Sequence, residues 1–102
     1  MENVKELVTK KNIESIRTNG DYDIISAVKI SNDYEVVIGA KPDIYHPITR
    51  DGEEIYKYIE YVVWYCAYGK MYTLGIYHTE YKAAIDDLME RVKALTEYAI
   101  AD

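Results

Sequence analysis

The sequence predicts an α+β fold: a four-stranded antiparallel sheet flanked by a short N-terminal helix and by a long C-terminal helix packed on one face. Three observations predict it. Apolar residues alternate with period two through the middle of the chain, turn-forming residues separate these runs, and an apolar stripe with helical spacing occupies the C-terminal segment. A chain of 102 residues can bury one modest core, so residues 1–102 are expected to form a single domain.

The first part of the chain predicts a helix followed by a β-hairpin. Apolar residues near 3–11 fall on one helical face, and the Asn-Gly-Asp sequence at 19–21 breaks the chain after them. Alternation then covers residues 24–30 and 34–40, and the polar residues 31–33 supply a turn between them. This arrangement is typical of two antiparallel strands joined by a short connection.

The middle of the chain predicts a long connection and a third strand. Residues 41–52 hold both prolines and are expected to form the connection. Residues 53–67 are rich in Tyr, Val, Ile and Trp, which favours a strand. An alternative stays open for residues 53–58, because Asp51 and Glu54 have the spacing of a capping box and would begin a helical turn there.

The fourth strand and the long helix complete the predicted order. The strand covers residues 71–77 after a turn at 68–70, and the helix is expected to begin with Thr79 as its N-cap. The apolar stripe of this helix is expected to pack on the core, and the alternative is that it forms a dimer seam. The opposite face of the helix is charged and is expected to include Arg91. The sheet face away from the helix is expected to be mostly in solvent. The stripe consists of Tyr81, Ile85, Leu88, Val92, Leu95 and Ala99.

Tyrosine dominates the aromatic content, with twelve Tyr, one Trp and no Phe. A Tyr side chain buries a large area at low entropic cost and still offers a hydrogen bond, so recognition surfaces favour it. Alternation along the third strand therefore predicts an aromatic patch on the sheet face opposite the helix. Its members are Tyr56, Tyr58, Glu60, Trp64 and Tyr72. The alternative is that the 41–52 connection folds over these rings and buries them.

The formal charge of −6 comes from 18 acidic and 12 basic residues. Such a field repels phosphate backbones and anionic lipids, so direct binding to nucleic acid or to a membrane is not expected. A larger protein with a basic surface is the expected partner, and Glu53 and Glu54 beside the aromatic patch would face it. For the charge taken by itself, simple solubility is the favoured interpretation.

Catalytic and metal-binding motifs are not found in the sequence. His46, His78 and Cys66 have no ligand spacing, so no metal and no cofactor are expected. The chain is not expected to be an enzyme; were it one, His78, Tyr77 and Glu60 would be examined first. The lone Cys66 lies in an apolar run as a small hydrophobe, and no targeting or membrane-spanning segment is evident, which favours a cytoplasmic location.

The leading functional hypothesis is therefore a small acidic, tyrosine-rich protein-binding module. In length, negative charge and ring content the chain resembles the compact anti-defence proteins of phages and mobile elements, including anti-CRISPR inhibitors. That resemblance implies an inhibitor that occludes a basic, nucleic-acid-binding surface. Two alternatives stay open: a protein that binds a small molecule or nucleotide in a Tyr and Trp pocket between sheet and loop, and a structural homo-oligomer, for example a homodimer.

Overall fold

The structure is a computed structural model that describes residues 7–9 and 17–101, with side chains described for residues 17–97. The described residues form seven strands and one helix, and every strand pairing is antiparallel. The strands are β1 (Leu7–Thr9), β2 (Thr18–Asn19), β3 (Tyr22–Lys29), β4 (Tyr34–Pro42), β5 (Ile48–Arg50), β6 (Glu53–Ala67) and β7 (Met71–His78). The helix is α1 (Tyr81–Ala101).

Strand β6 organises the sheet because its 15 residues pair with four other strands. The strand order is β1-β6-β4-β3-β2, and both β5 and β7 also pair with β6. Tyr61 pairs with both Ala40 of β4 and His78 of β7, so these two strands lie on opposite edges of β6. The outer edge of β7 has no strand partner among the described residues.

The predicted arrangement of four strands and two helices is wrong. Residues 7–9, inside the predicted N-terminal helix, form β1 and pair with residues 55–57 of β6. The rest of that predicted helix lies outside the described residues. A short isolated helix is marginal in water, and pairing with the open edge of a long strand overrides its weak periodic signal.

The connection predicted over residues 41–52 also contains structure that the sequence analysis missed. Its last part is β5, which joins β6 through a two-residue turn at Asp51 and Gly52. Both turn residues have positive φ, 53° and 79°, as a type I′ hairpin turn requires. The capping box at Asp51 is therefore wrong, and residues 53–58 are strand rather than a helical turn.

Two predicted hairpins are confirmed. Strands β3 and β4 pair around residues 31–33, and β6 and β7 pair around a turn at residues 68–70. Tyr68 and Gly69 in that turn have φ of 57° and 74°, and the Lys70 amide donates to the Ala67 carbonyl at 3.1 Å. Strands β3, β4, β6 and β7 are thus the four that the sequence predicts.

The helix packs its apolar stripe from Tyr81 to Leu95 on one face of the sheet, as predicted, and the side chain of Ala99, the last predicted member, lies outside the described residues. Ala84 and Leu88 are buried, and the partly buried stripe residues pack around them. The same cluster, termed the helix-side core, includes Val36, Ile38, Ala40, Tyr58, Tyr61 and Val63. The helix begins later than predicted, because the Glu80 carbonyl rather than that of Thr79 accepts the first helical bond, from the Ala84 amide at 3.2 Å.

The opposite sheet face is not mostly in solvent, which corrects the sequence-based expectation. Its buried residues form a second cluster, termed the Trp-side core: Ile24, Val37, Val62, Trp64 and Cys66. The Trp64 indole lies against the backbones of β4 and β7. A Cβ atom at Gly39 would lie 2.6 Å from Cζ3 of the indole, and one at Gly75 would lie 2.6 Å from its Nε1. Glycine at both positions lets the indole lie flat on the sheet.

Candidate docking surface

The aromatic patch predicted from the sequence is not a surface. Tyr56, Tyr58 and Trp64 are only 6%, 4% and 8% exposed, and Tyr72 is half-buried against the indole at a ring distance of 5.3 Å. The expectation that these rings face outward is therefore wrong. Tyr58 packs in the helix-side core and Trp64 and Tyr72 pack in the Trp-side core, and neither cluster includes a residue from 43–52, so the alternative of a covering loop does not describe the burial of these three rings.

A bulge in β6 explains why regular alternation failed. Lys41 pairs with Glu60 and Pro42 pairs with Tyr58, so Ile59 has no partner in β4. The extra residue reverses the phase of the strand, which moves Tyr58 into the helix-side core and leaves Ile59 exposed. Proline cannot donate a ladder hydrogen bond and is found at bulges, so Pro42 was the available sequence signal.

Phenol–carboxylate pairs explain why three of the twelve tyrosines are not Phe. The hydroxyls of Tyr22, Tyr56 and Tyr58 donate to acidic side chains at 2.5, 3.1 and 3.2 Å. Burial first, and the neighbouring carboxylate second, raise the pKa of Tyr22 well above its usual value. A Phe at any of these positions would leave a carboxylate without its donor. The acceptors are Glu60 for Tyr22, Glu54 for Tyr56 and Asp23 for Tyr58.

The acidic residues that were predicted to contact a partner differ in whether they already have a hydrogen-bond donor within the chain. Glu60 and Glu54 already accept hydrogen bonds within the chain, whereas Glu53 is exposed beside the β5–β6 turn. The structure does not bring these acids and the rings together on one outer face. The predicted site therefore does not form as a unit.

The exposed apolar residues cluster instead on β7. Met71, Leu74, Ile76 and Tyr77 are each more than half exposed, and Leu74 reaches 73%. Isolated surface apolar residues need no explanation, but four in one eight-residue edge strand do. This cluster was not predicted, because alternation identifies a strand but does not show which edge of the sheet it occupies.

Leu74 also has a strained backbone. Val63 pairs with Ile76 and Tyr65 pairs with Thr73, so Leu74 and Gly75 together oppose one residue of β6 and form a bulge. Leu74 takes the left-handed conformation with a φ of 55°. That conformation costs a non-glycine residue about 1–2 kcal/mol. Leu74 therefore exposes a large apolar side chain at a position where Gly or Asn would have less backbone strain.

A shallow groove of about 400 Å³ lies between β7 and α1. Arg91 lines the groove, although the sequence analysis placed it on the outer face of the helix, and it is only 8% exposed. Its guanidinium stacks 4.6 Å over the ring of Tyr65, and its Nε donates to Asp87 at 3.0 Å. Its Nη1 is buried without a hydrogen-bond partner among the described residues. Such an unpaired donor costs about 1–3 kcal/mol.

The groove and the outer strand together are termed the β7 surface, and they comprise Tyr65, Leu74, Gly75, Ile76 and Arg91. Asp87 anchors its helical side, because it also contacts Nε2 of His78 at 2.8 Å. Arg91 follows Leu88 by three residues and precedes Leu95 by four, so it lies beside the apolar stripe. That spacing is the signal that could have predicted its burial.

The three residues considered for catalysis are not joined directly by any described contact. Glu60 accepts a hydrogen bond from Tyr22, whose ring lies 6.2 Å from that of Tyr77, whereas His78 contacts Asp87. Within residues 17–97, no group of three His, Cys, Asp or Glu side chains is placed to hold a metal ion. The described part of the chain contains no helix long and apolar enough to cross a membrane.

Comparisons with known proteins place no constraint on the β7 surface. The chain matches no family model, no curated protein and no solved structure. The resemblance to compact anti-defence proteins therefore depends only on length, charge and ring content.

Proposed function

We propose that the protein is a protein-binding module that adds an extended segment of a partner protein to the free edge of β7. The observation that carries the proposal is Leu74, which is strained in its backbone and 73% exposed on a strand whose outer edge has no strand partner among the described residues. Strained residues concentrate at functional sites, and an open strand edge is a template for strand addition.

The backbone of β7 supports the same mode of binding. An added strand would pair its N–H and C=O groups with those on the outer edge of β7, which has no strand partner among the described residues. Leu74 and Ile76 would bury apolar area against alternate side chains of the added strand. Backbone pairing would provide affinity, and the groove would select the side chain that enters it.

Charge favours a foreign partner over a second copy of the chain. Two copies would bring together two formal charges of −6, whereas a basic partner would be attracted. We therefore keep the larger protein with a basic surface as the proposed partner and assign the chain no catalytic activity. That the partner belongs to a defence system stays a prediction. The buried, unpaired Cys66 suits a reducing compartment, so a cytoplasmic location is part of the proposal.

A peptide selection tests the proposal. The full chain would be presented to a displayed library of random linear peptides about 12 residues long, which can span β7. We expect the enriched peptides to alternate apolar residues, to carry basic residues, and to bind the Leu74→Asp variant about tenfold or more weakly. Ile48→Asp is the matched control, since it changes an exposed apolar residue on another edge strand and should leave binding unchanged.

Two results would contradict the proposal. Enriched peptides that bind wild type and Leu74→Asp equally well would show that the β7 surface is not the docking site. Light scattering that gives a mass above 11.9 kDa for wild type and 11.9 kDa for Leu74→Asp would show that a second copy occupies the edge instead.

A further inference from the structure

Two exposed tyrosine rings lie against each other where the turns of the β3–β4 and β6–β7 hairpins meet. The ring centroids of Tyr34 and Tyr68 are 5.8 Å apart, with 47° between the ring planes. Both side chains are more than half exposed. The pKa of Tyr68 is raised, with a hydrogen bond to the Tyr34 side chain as the main cause, so the two hydroxyls lie close together. We term these residues the Tyr34–Tyr68 pair.

The backbone holds both rings in place. Tyr34 is the first residue of β4 and pairs with Ala67, the last residue of β6. The amide of the next residue, Tyr68, donates to the Asp33 carbonyl at 2.7 Å, and the Tyr34 carbonyl accepts from the Ile30 amide at 2.9 Å. Because the two rings are attached to neighbouring, hydrogen-bonded segments, they meet far more often than two free phenols would.

Tyr68 takes a backbone conformation that its residue type disfavours. Its φ is 57°, in the left-handed region where glycine or asparagine is preferred. Asp51 has a similar φ of 53° before Gly52 in the β5–β6 turn, and aspartate is a common residue in such turns. Turn geometry therefore does not explain a tyrosine at position 68, and strained residues concentrate at functional sites.

The other tyrosine pairs among the described residues do not have two exposed rings. Tyr58 and Tyr61 are buried, which excludes both pairs that contain Tyr61. Tyr22 lies 6.2 Å from Tyr77, but Tyr22 is partly buried and its hydroxyl donates to Glu60. The Tyr34–Tyr68 pair is thus the described tyrosine pair in which solvent reaches both rings.

Two phenols held in this way can be joined by oxidation. A one-electron oxidant removes one electron and one proton from each phenol, which gives two phenoxyl radicals. The unpaired electrons spread to the ring carbons beside the hydroxyls, and two such carbons form a C–C bond. One proton then moves from each of these carbons to its phenol oxygen, which restores both hydroxyls. With hydrogen peroxide as the terminal oxidant, the two hydrogen atoms that leave the chain reduce one peroxide molecule to two water molecules.

We propose that the Tyr34–Tyr68 pair is an oxidative modification site, at which a peroxidase and hydrogen peroxide form a C–C bond between the two rings. The bond fastens the β3–β4 turn to the β6–β7 turn. A disulfide cannot do this, because the chain has a single cysteine. Thiol reductants do not cleave a C–C bond, so the cross-link persists in a reducing compartment. The site is independent of strand addition at β7, and either assignment can fail without the other.

The test treats the full chain, at low concentration, with a haem peroxidase and hydrogen peroxide. We expect the intact monomer to lose the mass of two hydrogen atoms, and peptide mapping to join the peptide of Tyr34 to the peptide of Tyr68. Tyr34→Phe and Tyr68→Phe should each lower the cross-linked fraction by about tenfold or more, because a ring without a hydroxyl forms no phenoxyl radical beside its partner. Tyr45→Phe and Tyr77→Phe, which change exposed rings elsewhere, are the matched controls and should leave that fraction unchanged.

Urea denaturation provides a second readout. The cross-linked chain, separated from unreacted chain, should unfold at a higher urea concentration, because the bond closes a loop in the unfolded state. The same treatment of Tyr34→Phe should give no such increase. Cross-links that map to other rings, covalent dimers in place of an altered monomer, or equal cross-linking of wild type and Tyr34→Phe would overturn the proposal.

Discussion

The Trp64 indole lies so close to the backbone of Gly39 that a methyl group there would be 2.6 Å from the ring. This contact fixes the Trp-side core, because Val37 and Val62 are fully buried beside it. The contact also explains why residue 39 is glycine, because the indole leaves no space for a side chain at that position of the neighbouring strand.

Gly39→Ala should lower the free energy of unfolding by about 1–3 kcal/mol, because the added methyl group overpacks the indole. Urea denaturation measures the change. The same substitution in a Trp64→Leu background is the control, and there it should cost much less. An equal cost in both backgrounds would show that the indole is not the cause.

Leu74→Asn should raise the free energy of unfolding by about 0.5–1 kcal/mol, because Asn tolerates the left-handed conformation better than Leu. Leu74→Val is the matched control and should be destabilising, since a β-branched residue fits that conformation worst. Thermal or urea unfolding would compare the two variants with wild type. If Asn and Val destabilise equally, the bulge does not strain Leu74 in solution.

Tyr58→Phe should lower the free energy of unfolding at pH 7 by about 1–2 kcal/mol, because it leaves the Asp23 carboxylate without its donor. Burial raises the pKa of Asp23 and the Tyr58 hydroxyl lowers it, so the variant should raise that pKa further. Carboxyl ¹³C chemical shifts followed against pH measure it. An unchanged pKa of Asp23 in the variant contradicts the pairing.

The free energy of unfolding of the wild-type chain should depend on pH through the ionisation of Asp23. The folded pKa of Asp23 lies above the unfolded value, so the folded state binds more protons between the two. This contribution to stability therefore increases as pH falls from above the folded pKa towards the ordinary Asp value of about 3.9. Subtracting the pH profile of Asp23→Asn isolates the effect, and a difference that does not vary with pH would contradict it.

Arg17→Met should destabilise the fold by about 1–2 kcal/mol near neutral pH, less than for a fully buried pair because Arg17 is partly exposed. Its guanidinium lies 2.9 Å from Glu35 and, as the main cause, lowers the pKa of that buried carboxyl. The stabilisation is present above the unfolded pKa of Glu35 and is lost as pH falls through the lower folded value. In a Glu35→Gln background the substitution should cost less and its cost should not vary with pH through the acidic range, because only the contacts of Arg17 with Tyr72 are then lost.

Local patterns in the sequence predict the parts of the fold that depend on neighbouring residues. The hairpin of β3 and β4 and the apolar stripe from Tyr81 to Leu95 follow from alternation and helical spacing. Strand β5 could also have been predicted, because an Asp-Gly pair between extended segments is a strong hairpin signal. It was missed because the prolines nearby indicated a long connection.

The remaining features depend on contacts that alternation does not encode. One unpaired residue, Ile59, reverses the phase of β6 and moves Tyr58 from the predicted patch into the core. The position of β7 at a sheet edge depends on which strands pair with β6, and this alone leaves Leu74 exposed. The composition shows the excess of hydroxyl-bearing rings, but it does not show that some of these hydroxyls pair with carboxylates within the chain.

Amide hydrogen exchange on β7 tests the central claim most directly. With a peptide from the selection bound, we predict slower exchange at those amides of residues 71–78 that do not pair with β6, and unchanged exchange in β3. Protection that appears elsewhere while the outer edge of β7 exchanges as fast as in the free chain would contradict strand addition.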